Sequence, residues 1–200
     1  MKNVTISGVI LGHKNLGECD KIVFLYNDDY GKIKAIAKGA RKLTSRFTGH
    51  LETLNFCTAV LYFGPKNIIL QEISTLTCPF RSRKSLPVIS NALKMAQITN
   101  QLLYENQTLE NLTELLKTAI KHLTASHKKS LITTSYTIKL LDKSGLIPDF
   151  KETQLHAETK YSKFFNFIKI KPFREIEKIT LTKEEKSYVK KFTETLLQSS

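Results

Sequence analysis

Residues 35–49, AIAKGARKLTSRFTG, place four cations, Lys38, Arg41, Lys42 and Arg46, within nine positions, directly after an apolar stretch. Four like charges this close repel one another, so folding by itself gives little reason to cluster them. The residue types suit a polyanion. The planar fork of arginine meets two phosphate oxygens at once, while lysine acts as a point charge. Thr44 and Ser45 add neutral hydrogen bonds of the kind that position a nucleic-acid backbone. A plain solvated loop is the other reading that a charge run allows.

Further residues join this candidate set. Lys32 and Lys34 alternate on the preceding stretch and so extend the patch from one face. Phe47 and Tyr30 lie among basic residues, where an aromatic ring can stack on a base. Arg81 and Arg83, with Lys84, form a second group behind Phe80, for which a binding and a solvating role are equally open. Lys128-Lys129 and Lys190-Lys191 read as surface charges. The run Phe164-Phe165-Asn166-Phe167, with Lys160, Lys163, Lys169 and Lys171, suits either core packing or the receipt of an acidic, apolar peptide end.

Catalytic chemistry finds little support. His13, His50, His122, His127 and His156 have no spacing of a metal site or a triad, and Asp28-Asp29 sits in a turn-forming cluster. There is no phosphate-cradling glycine loop and no nucleophile elbow. Cys19, Cys57 and Cys78 are odd in number, widely spaced and lack a C-x-x-C pair. Idle thiols in a reducing cytoplasm are expected, with neither a disulfide framework nor a zinc site. The reading is a protein that is not an enzyme and that needs no cofactor.

Behind these residues stands a chain of 200 residues with 41% hydrophobic and 24% charged side chains, which is globular composition. The net charge of +13 points to anionic partners, nucleic acid first. Residues 1–80 hold 10 basic and 6 acidic side chains, residues 81–150 hold 10 and 5, and residues 151–200 hold 11 and 7. The folded surface is therefore basic throughout, without a basic tail. The N-terminal MKNVTISGVILG is too short and too polar for a signal peptide. No stretch reaches the roughly 18 apolar residues of a membrane span, so no membrane is expected.

The first 80 residues read as strands. The VTISGVIL stretch near the start, DKIVFLY, KIKAIA, LETLNFCTAVLYF and NIILQEIST make five, separated by turn residues such as Asn27-Asp28-Asp29-Tyr30-Gly31 and Gly64-Pro65. Apolar residues on both parities suggest a small closed barrel better than a one-sided sheet. Within it, Phe24, Tyr26, Phe56, Tyr62 and Phe63 are expected as core. Past Pro79 the period becomes helical. Leu86, Ile89, Leu93 and Ala96 mark one helix, and Leu109, Leu112, Leu116, Ala119 and Leu123 a second. A third runs from about Leu131 to Lys143, with Gly145 and Pro148 as stops. Thr182 and Glu185 have capping-box spacing before a last helix ending near Gln198. The expected division is a barrel over 1–80 and a helical domain over 81–200, with residues 149–181 irregular, either extended or a short helix.

Three phrases, taken in order, resemble the N-terminal part of the bacterial recombination mediator family RecO. They are Gly17-Glu18-Cys19-Asp20-Lys21-Ile22-Val23, Tyr30-Gly31-Lys32, and Ala37-Lys38-Gly39-Ala40-Arg41-Lys42 followed by Ser45-Arg46 and Gly49. Leu140-Leu141-Asp142-Lys143-Ser144-Gly145-Leu146-Ile147-Pro148 is similar to the phrase that closes a helix in that family's second region. The resemblance implies an α+β fold, a five-stranded OB barrel followed by helices. It implies binding of single- and double-stranded DNA, annealing of complementary strands, and loading of recombinase onto DNA coated by single-strand binding protein, together with RecR. Many family members carry a cysteine-rich zinc site after that phrase; this chain has no cysteine after Cys78, so the zinc ribbon is expected to be absent. An OB-type RNA-binding factor in translation or RNA handling is the alternative, and a basic scaffold for acidic proteins a third.

Overall fold

The computed structural model describes residues 2–80, 85–147 and 159–198. Five strands, β1 (Lys2–Leu16), β2 (Asp20–Asn27), β3 (Gly31–Ala37), β4 (Phe56–Phe63) and β5 (Ile68–Thr77), close into a barrel in the order β1-β2-β3-β5-β4. This is an OB barrel, and the class is α+β. All pairings are antiparallel except β3 with β5, where Ala35 faces Ile68 and Ile36 faces Ile69. Closure depends on β1, which pairs with β4 through Lys2–Val9 and with β2 through Val9–Leu16. Its register shifts between Ile10 and Gly12. At this bend the Ile10 N–H donates to the Asn55 carbonyl and the Ile10 carbonyl accepts from the Leu54 N–H, so both backbone groups of Ile10 are satisfied from the 54–55 segment.

The two apolar parities of the strands have different destinations. Ile6, Ile10, Val23, Leu25, Ile33, Ala35, Cys57, Ala59, Leu61 and Leu70 fill the barrel. Val9, Leu11, Tyr26, Leu54 and Phe56 lie on its outside, in one continuous core with the helices. The expected core aromatics Tyr26 and Phe56 are thus buried between layers and not inside the barrel. Two-sided burial explains why both parities of the short strands are apolar.

The helices are α1 (Leu86–Leu102), α2 (Leu112–Ala125), α3 (Lys129–Lys143), α4 (Thr159–Ile170), the single turn α5 (Phe173–Ile176) and α6 (Lys183–Gln198). Central α3 is buried on most of its circumference by α1, α2, α4 and α6. Its end is a Schellman turn: Gly145 (φ +70°) donates to the Asp142 carbonyl, and the Leu146 N–H to that of Leu141. The expected stop at Gly145 is therefore realised, while Pro148 lies outside the described residues. The capping box is also formed. The Thr182 N–H donates to Glu185 Oε2 at 2.8 Å and the Glu185 N–H to Thr182 Oγ1 at 3.2 Å.

The structure sharpens two readings. Helix α1 is present, but its buried stripe is Val88, Ala92, Met95, Ala96, Thr99 and Leu102, while Leu86 and Leu93 are 78% and 41% exposed. Two apolar stripes overlap on this helix, and the one carrying Ala92 and Ala96 is small enough to lie close against its neighbours. The segment left open as extended or helical is α4 from Thr159, with Phe165 and Ile168 buried on the helical core. Phe164 and Phe167 pack against the same core, which accounts for the aromatic run.

Barrel and helices are joined by a polar seam inside this apolar layer. The Tyr26 hydroxyl donates to the Leu109 carbonyl at 2.9 Å and accepts from the Leu109 N–H at 2.8 Å, fully buried. Gly31, at φ +70°, faces the 104–107 loop so closely that a Cβ there would come within 2.5 Å of the Gln107 carbonyl. The Asn106 N–H donates to the Lys32 carbonyl at 2.8 Å beside it.

Removing the Tyr26 hydroxyl orphans two buried backbone groups at once. Tyr26→Phe is expected to lower unfolding stability by about 1–3 kcal/mol in urea titrations, and an unchanged midpoint would refute the seam's importance. The thiols give a second check. Cys57 is buried, with its pKa pushed up to about 12 by desolvation, whereas Cys19 is exposed. Maleimide should label Cys19 in the native protein and Cys57 only after unfolding.

Candidate nucleic-acid interface

The basic segment follows β3 and crosses the end of the barrel. Lys38, Arg41, Lys42 and Arg46 are all exposed. Backbone hydrogen bonds hold them in place against their mutual repulsion. The Gly39 N–H donates to Asp20 Oδ1 at 2.8 Å, and the Arg41 N–H to the Cys19 carbonyl at 2.9 Å. Gly39 takes φ +69°, a turn conformation that favours glycine. Successive turns then run from Gly39 to Lys42, Lys42 to Ser45 and Ser45 to Thr48, each closed by an N–H to carbonyl bond of 3.0–3.3 Å or thereabouts. The Arg41 guanidinium also donates to the Gly17 carbonyl at 2.6 Å. The segment is thus fastened to the β1–β2 turn at three points.

Phe47 does not serve as an open stacking ring. It is 3% exposed and plugs the end of the barrel with Leu51, beneath the Arg46 guanidinium, whose centre lies 5.3 Å from the ring. An aromatic side chain in a polar loop is the natural choice for anchoring that loop to a core. Tyr30, by contrast, is 41% exposed, with its ring 5.9 Å from that of Phe63.

Lys32 and Lys34 share the outer face of β3, as their spacing indicated, but they differ in use. The Lys32 ammonium donates to the Asn100 carbonyl and, at 2.8 Å, to the Leu103 carbonyl, both at the end of α1. It lies 5.6 Å from the centre of the Phe24 ring, and burial lowers its pKa, opposed by Glu105. Lys32 is thus a pin between barrel and helix, and the structure does not bring it to the Lys38–Arg46 set. Lys34 is exposed and pairs with Glu105 at 3.6 Å. Arg81 and Arg83 lie outside the described residues.

The outer face of β2 and β3 is divided by the helices. The cross-strand pair Tyr26–Lys32 is covered by α1 and the 104–109 loop. The pair Ile22–Ile36 remains beside an open groove of ≈ 410 Å³. Leu16 from the β1–β2 turn, Ile22, Ile36 and Ile68 make its apolar lining. Lys34, Lys66 of the β4–β5 turn and Glu105 supply its charges. Flanking turns and a β2–β3 floor are where OB barrels receive an extended chain. Lys66 and the aliphatic floor are absent from the sequence-derived set. The turn Gly64-Pro65-Lys66-Asn67 was the available signal, since an OB order places that turn opposite the first one.

Elsewhere the surface charges divide. Lys128 donates to the Glu177 and Ile179 carbonyls, which ties α3 to the α5 region, so it is more than a solvated charge. Lys190 pairs along α6 with Glu194 at 3.9 Å. Asp28 accepts a hydrogen bond from the Thr113 N–H at the start of α2, a structural use for a turn carboxylate. Among the described residues no cluster of three His, Cys, Asp or Glu side chains is placed to hold a metal, and no helix is long and apolar enough to cross a membrane.

Comparison with known proteins agrees with this geometry. Residues 1–78 match the family model "Recombination protein O N terminal". The chain is 28% identical to the "DNA repair protein RecO" of Thermoanaerobacter sp. (strain X514) over 167 residues, 83% of this chain and 67% of the relative. It is 27% identical over 171 residues to the protein of the same name from Acetivibrio thermocellus, covering 84% and 68%. The one from Syntrophobacter fumaroxidans is 30% identical over 151 residues, covering 74% and 59%. The chain spans about two thirds of the length of the first two.

The two β3 lysines separate in stability. Lys32→Met strips two helix-end carbonyls of their donor and is expected to cost about 1–2 kcal/mol. Lys34→Met loses one half-exposed ion pair and should stay within about 0.5 kcal/mol of the parent. Equal losses in thermal unfolding would contradict the assignment.

Proposed function

We propose that the chain, whose residues 1–78 match the N-terminal model of recombination protein O and which is similar to DNA repair proteins RecO over most of its length, acts in DNA repair and recombination by binding DNA on the barrel. One observation carries the reading. The basic segment at residues 38–46 is tied to the β1–β2 turn, and that turn also bounds the apolar groove whose opposite wall holds Lys66. A strand lying there would set its phosphates against Lys38, Arg41, Lys42, Arg46, Lys34 and Lys66, and its bases against the aliphatic side chains of the groove.

The work we assign to this surface is annealing of complementary strands. Each basic side chain that neutralises a phosphate releases counterions and lowers the repulsion between two strands held together. Contacts to backbone and base faces give slight sequence preference. The process requires no nucleotide hydrolysis. Single- and double-stranded DNA, RecR and single-strand binding protein are the proposed partners, and loading of recombinase onto coated strands the proposed outcome.

The test is annealing of two labelled complementary oligonucleotides coated with single-strand binding protein, across a salt series. A Lys38→Glu, Arg41→Glu, Lys42→Glu, Arg46→Glu variant, checked for native unfolding temperature, is expected to lose annealing. For wild type, the log of the binding constant for a single strand should fall with the log of salt, with a slope of about −0.7 per phosphate neutralised. Equal affinity of the variant would refute the site. Preference for RNA in a matched-strand competition would instead establish the RNA-binding reading.

A further inference from the structure

Within the basic segment one side chain has no partner in the fold. Leu43 is 104% exposed, the most exposed large apolar residue among those described. It sits at the second position of the turn closed by the Ser45 N–H and the Lys42 carbonyl, 3.0 Å apart. Turn positions ordinarily carry Pro, Asp, Ser, Asn or Gly, each for a conformational reason, and leucine offers none of these. The fold therefore gains nothing locally from an apolar residue at this point, and water bears its whole surface.

Its surroundings set what it can meet. Lys42 precedes it, Arg41 and Arg46 flank the turn, and residues 38–49 contain no acid. Nearby carboxylates are Asp20, which accepts from the Gly39 N–H, and the exposed Glu18 and Glu52. The turn cannot swing away to bury the leucine. It is fastened on one side by Gly39 and Arg41 to the β1–β2 turn, and on the other by Phe47 in the barrel core. An exposed apolar tip with Arg41, Lys42 and Arg46 as its neighbours in a fastened segment matches a polyanion whose interior is apolar and layered. Apolar side chains presented from basic protein surfaces insert between base steps and unstack them.

We propose that Leu43 is a wedge that enters between neighbouring bases of bound DNA while the surrounding cations hold the backbone. This rests on the DNA-binding reading and adds a distinct act to it. The cations supply attraction without regard to base conformation, whereas the leucine parts the stack of a single strand and so exposes base edges for pairing.

The experiment uses the full chain and a single-stranded oligonucleotide with 2-aminopurine among adenines, whose emission rises when the base is unstacked. At saturating protein, wild type and Leu43→Met are expected to raise the emission. Leu43→Ala should leave it near the level of the free strand. The same alanine variant should bind no more than roughly tenfold more weakly. Its salt slope should match wild type, since no charge is lost. Because Leu43 touches nothing in the fold, the variant's unfolding temperature should not move. Tight binding by both proteins with equal emission overturns the wedge alone and leaves the tip to a protein partner. Absence of binding by wild type overturns the wedge and the DNA-binding reading together.

Discussion

The seam between the outside of β2–β3 and the end of α1 is the constraint on which the remaining architecture depends. A five-stranded barrel with apolar residues on both parities cannot stand alone in water, because its outer apolar face would be an exposed patch. Packing helices on that face solves the apolar problem and creates a polar one, since strand and helix ends both arrive there with backbone groups to satisfy. Tyr26 answers with a hydroxyl that both donates to and accepts from Leu109, and Lys32 with an ammonium that two helix-end carbonyls accept. Gly31 supplies the room for the loop between them. Each solution is specific to one register, so the seam also determines how far the helices extend over the barrel.

That extent decides the shape of the groove. Covering Tyr26–Lys32 and leaving Ile22–Ile36 halves the face that an OB barrel can offer. The uncovered half lies toward the β1–β2 turn, on the side where the basic segment is fastened. Attraction and shape therefore converge at one end of the barrel. The segment's four cations repel one another, yet their turns are closed by backbone bonds and anchored by Phe47 in the core. The stability for that clustering comes from groups other than the cations themselves.

How much of this was legible in the sequence follows from the range of the interactions. Strand and turn signals are local, and the individual strands, the Gly145 stop and the Thr182–Glu185 capping box all follow from residues close together in the chain. The two parities were visible too, but not their destinations. That Tyr26 is buried against helices while Leu25 is inside the barrel depends on closure, a property of all five strands at once. Lys32 and Lys34 look equivalent by spacing, and only the arrival of α1, some 68 residues later in the chain, separates them. Phe47 resembled an open ring because its neighbours are polar; that same context makes it an apolar anchor for the loop. Helix α1 was plain as a helix and ambiguous as to face, since two apolar stripes overlap on it.

The same reasoning bears on the floor of the groove. Ile22, Ile36, Ile68 and Leu16 are aliphatic where a stacking platform would be aromatic. Aliphatic surface takes up a base by area, without the preferred ring geometry of an aromatic pair. On the proposed reading a strand resting there would be held chiefly through its charges, by lysines and by arginines placed by the turns. Such holding tolerates sliding along the backbone, which a strand needs if it is to find its register with a complement. On the proposed reading the loop and its leucine would be the stiff elements and the nucleic acid the yielding one. This division of stiffness is what a surface should have if its task is to present bases and not to read them.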